Sequence, residues 1–273
     1  MSLIQNTLKT SDFSATDYHR FIGRWSQMIA HEFVTWLSVS PNSRWLDVGC
    51  GTGALTAEIV AESKPQIVYG IDPSAERINY ANESLPFVKF VVGCAEDIPL
   101  NWINFDATVS GLALNLVSDP TLALSNMIRT TRHMGVVAAY CWDFGQGLQM
   151  LRYLWNSVES MDSAAMELDP VKRYPLACPK QLKALFESVD LRHIEICAIE
   201  VPTLFYDFED YWSPFIRGPG TTQRYVQSLT EKNRLILRNR LKESLPIQSD
   251  GKIHLAAKAW AIKGICCKTR EIF

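Results

Sequence analysis

The sequence lacks the patterns by which several large classes of protein are recognised. Its seven cysteines include no C-x-x-C pair and its five histidines are isolated, so the ligand spacing of a zinc site is missing. No run of about eighteen apolar residues occurs, and the first residues show no basic segment followed by an apolar one. We therefore expect no metal, no transmembrane helix and no secretory signal, and the unpaired cysteines favour a reduced, cytoplasmic protein.

Charge is also in short supply. The net charge is −2, and charged residues make up 21% of the chain against 47% hydrophobic ones, which favours a packed globular protein over a disordered one. The most basic run, 232–242, is interleaved with leucine and isoleucine at helical spacing, which is typical of an amphipathic helix. A protein that follows a phosphate backbone normally has a stronger basic surface, so we expect no nucleic-acid partner.

Glycine is scarce as well, with 14 residues, but three glycines stand on alternate positions after a predicted strand. The strand is Arg44–Val48, the glycines are Gly49, Gly51 and Gly53, and a helix is predicted directly after them. Glycine lets the backbone take a positive φ and lets a ligand approach it, and a helix N-terminus offers N–H groups and a positive dipole end. The order of strand, glycine turn and helix predicts a nucleotide-type binding site.

The spacing of these glycines distinguishes between cofactors. Dinucleotide-binding proteins carry G-x-G-x-x-G, whereas residues 49–53 read G-x-G-x-G, which disfavours an NAD(P)-dependent oxidoreductase. Asp47 lies two residues before the first glycine, where a carboxylate suits a cationic amino group better than a pyrophosphate. A second acid, Asp72, ends the next predicted strand, 66–72. An acid there is expected to bind both ribose hydroxyls of a cofactor, and the alternative role is a helix cap.

The segment D-V-G-C-G-T-G at 47–53 resembles the first motif of the class I S-adenosylmethionine (SAM) dependent methyltransferases. The chain also resembles the bacterial small-molecule group that includes ubiquinone and menaquinone biosynthesis (methyltransferase type 11). The resemblance implies SAM as cofactor, S-adenosylhomocysteine (SAH) as product, and methyl transfer to a small-molecule acceptor. It also implies an α/β fold: a Rossmann-like, seven-stranded, mostly parallel sheet with an antiparallel last strand, helices on both faces and a helical lid insertion.

Seven apolar stretches fit the strands of such a sheet. They are 44–48, 66–72, 87–92, 105–112, 135–142, 192–200 and 253–264, and the last is expected to close the sheet near its edge. Residues 1–273 are expected to form a single methyltransferase domain, with an N-terminal helical cover at 12–38 and two helical insertions at 144–178 and 202–248. Because both insertions follow strands whose carboxyl ends meet at one edge, we expect them to form a lid over the cofactor crevice.

The resemblance also implies which residues hold the cofactor. The loop after the third strand would hold the adenine through a backbone N–H and an acidic side chain, but the usual acid position is Cys94, which weakens the side-chain contact. Glu96 or Asp97 could take the place of that acid, or the backbone alone could hold the base. The first helix would bring a tyrosine or an arginine to the methionine carboxylate. The implied cofactor residues are Tyr18, Arg24, Asp47, Gly49, Cys50, Gly51, Thr52, Gly53, Asp72, Pro73, Ser74, Cys94, Ala95, Glu96, Ser110, Gly111 and Leu112.

The sequence identifies no catalytic residue. SAM carries an activated methyl group, so the protein mainly has to position the acceptor and exclude water. Aromatic residues in the second insertion favour a small, partly apolar acceptor, and the accepting atom (O, N, S or C) stays open. Candidate residues of the acceptor pocket are His19, Asn115, Trp142, Asp143, Tyr211 and Trp212. The alternative to an enzyme is a protein that binds SAM or SAH without catalysis, as a sensor or an assembly partner.

Overall fold

The seven predicted strands form one sheet in a computed structural model, which describes residues 22–218 and 220–268. The strands are β1 (Arg44–Val48), β2 (Ile67–Asp72), β3 (Lys89–Val92), β4 (Phe105–Gly111), β5 (Thr131–Trp142), β6 (Leu191–Phe205) and β7 (Ile253–Cys266). They lie in the order β3-β2-β1-β4-β5-β7-β6. The first five strands pair in parallel, and β7 runs antiparallel to β5 and β6. The predicted Rossmann-like sheet with an antiparallel last strand is confirmed.

The last strand lies inside the sheet. β7 is inserted between β5 and β6, so the expectation that it closes the sheet near its edge is wrong, and β6 is the edge strand instead. β6 also continues to Phe205, five residues beyond its predicted end, and passes through Pro202. An edge strand tolerates proline because one of its sides needs no backbone N–H for pairing.

Helices cover both faces of the sheet. They are α1 (Arg24–Leu37), α2 (Ala54–Ser63), α3 (Ala75–Ser84), α4 (Pro120–Thr130), α5 (Gln149–Glu159), α6 (Pro170–Arg173), α7 (Pro179–Glu187), α8 (Phe208–Trp212), α9 (Thr221–Ser228) and α10 (Glu231–Ser244). One apolar core joins a face of the sheet to α1, α2, α3, α5, α8, α9 and α10, and a second core joins the other face to α4 and α7. None of the helices described is long and apolar enough to cross a membrane.

The first described helix, α1, packs on the sheet through one side. Trp25, Ile29, Phe33 and Leu37 recur every four residues and are buried, which gives the helix the apolar stripe of an amphipathic surface helix. The helical cover predicted at 12–38 therefore exists as a helix over its second half. Its earlier residues lie outside the described part of the chain.

β6 and β7 form a two-stranded ribbon beyond the end of β5. Trp142, the last residue of β5, is opposite Ala259, whereas the ribbon continues to the pair Phe205 and Ile253, six residues further along β7. At about 3.3 Å per residue the ribbon extends about 20 Å beyond the carboxyl end of β5. α5 follows β5 and α8 follows β6, so both insertions begin at the sheet edge that also carries the glycine turn. Their role as a lid stays a prediction.

Candidate functional site

A pocket of about 330 Å³ lies at the carboxyl edge of the sheet, where the ends of β1, β2, β4 and β5 and the loop after β3 meet. Open α/β sheets bind their ligands in the crevice at this edge. The lining residues are Ser26, Asp47, Gly49, Cys50, Gly51, Thr52, Ala54, Leu55, Asp72, Pro73, Arg77, Cys94, Ala95, Glu96, Gly111, Leu112, Ala113, Leu116, Val117, Ser118 and Tyr140.

The glycine turn between β1 and α2 needs its glycines for two different reasons. Gly49, Gly51 and Gly53 all have positive φ, at 76°, 54° and 86°. A Cβ on Gly49 would lie 2.4 Å from the Cβ of Ala113, so the turn has no room for a side chain there. A Cβ on Gly51 would meet no described atom within 4 Å, so only the left-handed backbone favours glycine at that position. Gly53 is the N-cap of α2, which brings a helix N-terminus to the turn.

Asp47 is a fully buried acid in β1 that lines the pocket. Its Oδ2 accepts a hydrogen bond from the Thr56 hydroxyl at 2.7 Å, whereas its Oδ1 has no partner among the residues that the structure describes. Burial raises the pKa of Asp47 from 3.8 to about 7, with a smaller rise from the nearby Asp72, while the Thr56 hydroxyl lowers it. A ligand with a cationic amino group fits this site because it would give Oδ1 a partner and favour the charged carboxylate.

Asp72 ends β2 and is held in place by backbone on both sides. Its Oδ2 accepts a hydrogen bond from the N–H of Gly51 at 3.0 Å, and its Oδ1 accepts one from the N–H of Ser74 at 2.9 Å. Ser74, rather than Asp72, is the N-cap of α3, because its hydroxyl accepts from the N–H of Arg77 at 3.4 Å. Each carboxylate oxygen of Asp72 has a further lone pair. This arrangement favours the hydroxyl-binding interpretation of Asp72 over the helix cap.

A short turn at Ala95–Asp97, after β3, contributes the adjoining wall of the pocket. Residues 94–96 line it. The Glu96 Oε1 accepts hydrogen bonds from the N–H of Ser118 at 2.9 Å and of Asp119 at 3.3 Å. The Glu96 carboxylate therefore links this turn to the loop before α4 and stabilises the wall of the pocket.

The end of β4 and the side chain of Tyr140 in β5 form the next part of the wall. Gly111 and Leu112 line the pocket, and the N–H of Leu112 donates to the C=O of Tyr140 at 2.8 Å. A Cβ on Gly111 would lie 2.7 Å from the hydroxyl oxygen of Tyr140, so the glycine leaves room for the tyrosine ring. The Phe33 ring of α1 also contacts Tyr140, with 4.6 Å between the ring centroids. Helix α1 thus supports the pocket from the side of β5.

Several lining residues were not identified from the sequence. Ser26 belongs to α1, Arg77 to the first turn of α3 and Tyr140 to β5, while Leu116 and Val117 follow β4. These residue types carry no chemical pattern of their own. Only their place near the carboxyl ends of parallel strands, or on a helix beside those ends, could have indicated them.

Three predicted cofactor residues hold the scaffold of the pocket and do not line it in the described structure. Gly53 and Ser74 are the N-caps of α2 and α3. Ser110 is buried inside β4, with 1% of its surface exposed. Each of them is adjacent in sequence to a residue that lines the pocket.

Arg24, predicted to bind a cofactor carboxylate, has a different partner. Its guanidinium donates to both carboxylate oxygens of Asp210 in α8 at 3.4 Å and lies over the Phe205 ring, 5.0 Å from its centroid. This geometry ties the start of α1 to the second insertion, and Arg24 is not among the residues that line the described pocket. Tyr18, predicted for the same contact, and His19 lie outside the described residues.

Two aromatic residues predicted for the acceptor pocket lie away from the described pocket, and their role at the acceptor stays a prediction. Tyr211 and Trp212 are buried in the core of the second insertion, and neither lines the described pocket. The Tyr211 hydroxyl donates to the C=O of Met150 at 2.8 Å, and Trp212 stacks on Phe208. These side chains belong to the apolar core that joins the inserted helices to α1 and the sheet.

The other acceptor candidates lie at or just beyond the carboxyl edge. Asp143 accepts a hydrogen bond from the N–H of Gly145 at 3.0 Å and pairs with Lys258 at 3.0 Å, so it closes the turn after β5. The Trp142 indole N–H and the Asn115 Oδ1 are buried and have no partner in the described part of the chain. Trp142 and Asn115 therefore stay predictions for the acceptor site, whereas Asp143 has a structural role.

Comparison with known proteins agrees with this geometry. Residues 46–139 match the family described as "Methyltransferase domain". This segment of the chain is therefore a methyltransferase domain. The matched segment runs from β1 into β5, so it includes the glycine turn, Asp72 and the loop after β3. The sequence-based assignment to this class, with SAM as its cofactor, is confirmed.

The methyltransferase domain is similar to curated proteins over part of their length. It is 34% identical over 104 residues to an uncharacterized methyltransferase of Mycobacterium tuberculosis. The matched stretch covers 38% of this chain and 42% of that protein. It is 30% identical over 119 residues to a demethylmenaquinone methyltransferase of Renibacterium salmoninarum, which covers 43% of this chain and 48% of that protein. The chain thus spans less than half the length of these relatives.

A solved structure shows the same fold at low sequence identity. The YcgJ protein from Bacillus subtilis superposes with a TM-score of 0.57 at 15% identity, covering 90% of this chain and 100% of that one. At this identity the likeness concerns the fold alone. It supports the assignment of the fold.

Proposed function

We propose that this methyltransferase domain binds SAM in the pocket and transfers its methyl group to a small-molecule acceptor. One observation carries the proposal: the Asp72 carboxylate accepts the N–H of Gly51 on one oxygen and the N–H of Ser74 on the other. The Asp72 carboxylate, which would bind the ribose hydroxyls, thus lies beside a glycine turn that a ligand can approach.

Each part of the cofactor has a chemically matched group in the pocket. Asp72 would accept hydrogen bonds from the two ribose hydroxyls, and Asp47 Oδ1 would pair with the α-ammonium group. The backbone at Ala95 and Glu96 would hold the adenine, while Cys50 and the remaining lining residues would supply shape. SAM itself supplies a methyl group that its positively charged sulfur has already activated.

The acceptor would lie at the end of the pocket formed by β4 and β5. The adenine turn follows β3 and Tyr140 lies on β5, four strands away, or about 19 Å at the usual strand spacing. The wall at this end carries Leu112 and Tyr140, which supports a partly apolar acceptor. One relative is named a demethylmenaquinone methyltransferase, in keeping with an acceptor of that kind. The task of these residues is to orient the acceptor in line with the methyl group and to exclude water.

The two insertions would cover the acceptor end. Both begin at the same sheet edge as the pocket, and the Arg24–Asp210 pair ties α1 to α8. The pair is half-buried on each side, so it holds the two elements together without closing them from solvent. We propose that 144–178 and 202–248 form a lid whose aromatic residues fill its own core.

Ligand binding tests the cofactor assignment. Thermal unfolding and calorimetry should show that SAM and SAH bind and that NAD does not. A ligand at 100 times its dissociation constant stabilises the folded state by about 2.7 kcal/mol, which gives a readily measured rise in Tm. A rise with NAD and none with either adenosyl ligand would contradict the proposal.

Turnover separates the enzyme from the alternative of a SAM-binding sensor or assembly partner. The assay follows transfer of a labelled methyl group from SAM to a library of quinols, phenols, amines and thiols. We expect transfer to at least one partly apolar acceptor. Tight SAH binding without transfer to any acceptor class would favour the non-catalytic protein.

A further inference from the structure

Helix α4 holds the adenine turn from the side opposite the pocket. The Nδ2 of Asn126 in α4 donates to the C=O of Ala95 at 3.3 Å and to the C=O of Glu96 at 2.8 Å. Arg129, further along the same helix, donates to the C=O of Ile98 at 2.6 Å. Asn126 is half-buried and is absent from the described lining of the pocket, so any effect on a ligand acts through the turn.

These two hydrogen bonds set the direction of a backbone donor. In a trans peptide the C=O and the N–H point in opposite directions. The C=O of Ala95 points to Asn126, on the α4 side, so the N–H of Glu96 in the same peptide unit points away from α4. Ala95 and Glu96 line the pocket, whereas none of the described residues of α4 does. The peptide geometry thus leaves the N–H of Glu96 on the side of the turn that faces away from α4.

The side chains at positions 94 and 96 do little to distinguish adenine from other purines. Position 94 is a cysteine, which has no carboxylate for the exocyclic amine of adenine. The Oε1 of Glu96 is engaged by the N–H groups of Ser118 and Asp119. A backbone N–H is matched to N1 of adenine, which accepts a hydrogen bond. In a 6-oxopurine N1 carries a hydrogen, so two donors would face each other.

We propose that Asn126 is a positioning residue that makes the pocket selective for adenine over 6-oxopurines. It does so by holding the Ala95–Asp97 turn so that the N–H of Glu96 faces N1 of the base. The inference rests on the proposed function, because it takes the ligand to be an adenosyl compound. It assigns a specificity role to a residue that does not touch the ligand.

The test compares the affinities of SAH and its deaminated analogue S-inosylhomocysteine, by calorimetry on the full chain. Asn126→Asp keeps the size of the side chain but removes both N–H donors and sets a carboxylate against two carbonyl oxygens. We expect the wild type to prefer SAH by at least about tenfold, since a site built around one hydrogen-bond pattern rejects the reversed pattern. The variant should lose most of this preference. Asn239→Asp, the same change at an exposed position of α10, should keep it.

The ratio of the two affinities separates positioning from a merely structural role. Asn126→Ser, with a shorter side chain that cannot reach both carbonyls, provides a second variant if Asn126→Asp does not fold. An unchanged ratio in the folded variants would overturn the inference, even if both affinities fell equally. A wild type that binds SAH and S-inosylhomocysteine alike would overturn it while leaving the proposed function intact. A wild type that binds neither would overturn the proposed function itself.

Discussion

Replacing Asp47 with asparagine should raise the stability of the fold and lower its affinity for the cofactor. Asp47 is fully buried, and burial raises the pKa of its carboxyl from 3.8 to about 7. The folded protein therefore keeps a proton on Asp47 over a pH range in which the unfolded chain has lost it. Asparagine keeps an oxygen that can accept the Thr56 hydroxyl and carries no charge.

The sign and size of the stability effect follow from proton binding. Between about pH 4 and pH 7 the native state binds more protons at Asp47 than the unfolded state, so the free energy of unfolding falls as the pH rises. Above about pH 7 the free energy of unfolding falls no further through this group. A pKa change from 3.8 to about 7 corresponds to about 4 kcal/mol. We expect Asp47→Asn to be more stable than the wild type by up to about 4 kcal/mol at pH 8, and nearly equal to it at pH 4.

The affinity of Asp47→Asn for SAH should be lower than that of the wild type, although the variant is more stable. The amide of Asp47→Asn offers the α-ammonium group of SAH a neutral partner, and a hydrogen bond to a charged group contributes about 1.5–3 kcal/mol. In the wild type the affinity should also fall below about pH 7, because Asp47 must lose its proton to pair with the ammonium group. The variant should lack this pH dependence.

Urea denaturation of both proteins between about pH 5 and pH 8 measures the stability difference, in which the titration of other groups cancels. Asp190→Asn, the same change at an exposed position, is the matched control and should show no comparable slope. A stability difference that does not change with pH, or a variant less stable than the wild type throughout, would refute the role given to the buried charge.

Three further substitutions and one hydrogen-exchange measurement have defined outcomes. Asp72→Asn should weaken SAH binding by about 1.5–3 kcal/mol in calorimetry, because the ribose hydroxyls lose a charged acceptor; an unchanged dissociation constant would leave Asp72 a structural role only. Gly49→Ala should lower the free energy of unfolding by at least about 1–2 kcal/mol, since its φ is 76° and a Cβ would lie 2.4 Å from the nearest side chain; full stability would mean that the turn is built differently. Tyr211→Phe should cost about 1 kcal/mol of stability, through its hydrogen bond to a backbone carbonyl, without changing SAH affinity; a loss of affinity would return Tyr211 to the ligand site. Amides in 202–248 should exchange hydrogen more slowly when SAH binds, and unchanged exchange would count against the lid.

The cofactor half of the site was predictable because its chemistry is local in sequence. The glycine turn from Gly49 to Gly53 and its flanking strand and helix fall within one short segment. Asp72 needs only the assumption that the next strand runs parallel to the first, which brings both carboxyl ends to one edge. Over this segment the structure gives the N-cap of α3 to Ser74, which removes the alternative role of Asp72 as a helix cap.

The acceptor half was not predictable because it depends on which segments meet in space. Tyr211 and Trp212 show the same aromatic pattern whether they line a pocket or fill the core of an insertion. Ser26 and Tyr140 carry no chemical pattern. The packing of α1 on the sheet brings Ser26 to the pocket, and its position in β5 brings Tyr140 there. The alternating apolar pattern of Ile253–Cys266 likewise suits an edge strand or an interior strand, and only the pairing with two neighbours places it inside.

A structure of the protein with bound SAH tests the central claim most directly. We expect both ribose hydroxyls within hydrogen-bond distance of the Asp72 carboxylate and the amino group on Oδ1 of Asp47. The base should lie against the turn at Ala95–Asp97, with the homocysteine sulfur toward Leu112. SAH bound outside this pocket, or bound inside it with the ribose turned away from Asp72, would contradict the assignment of the site.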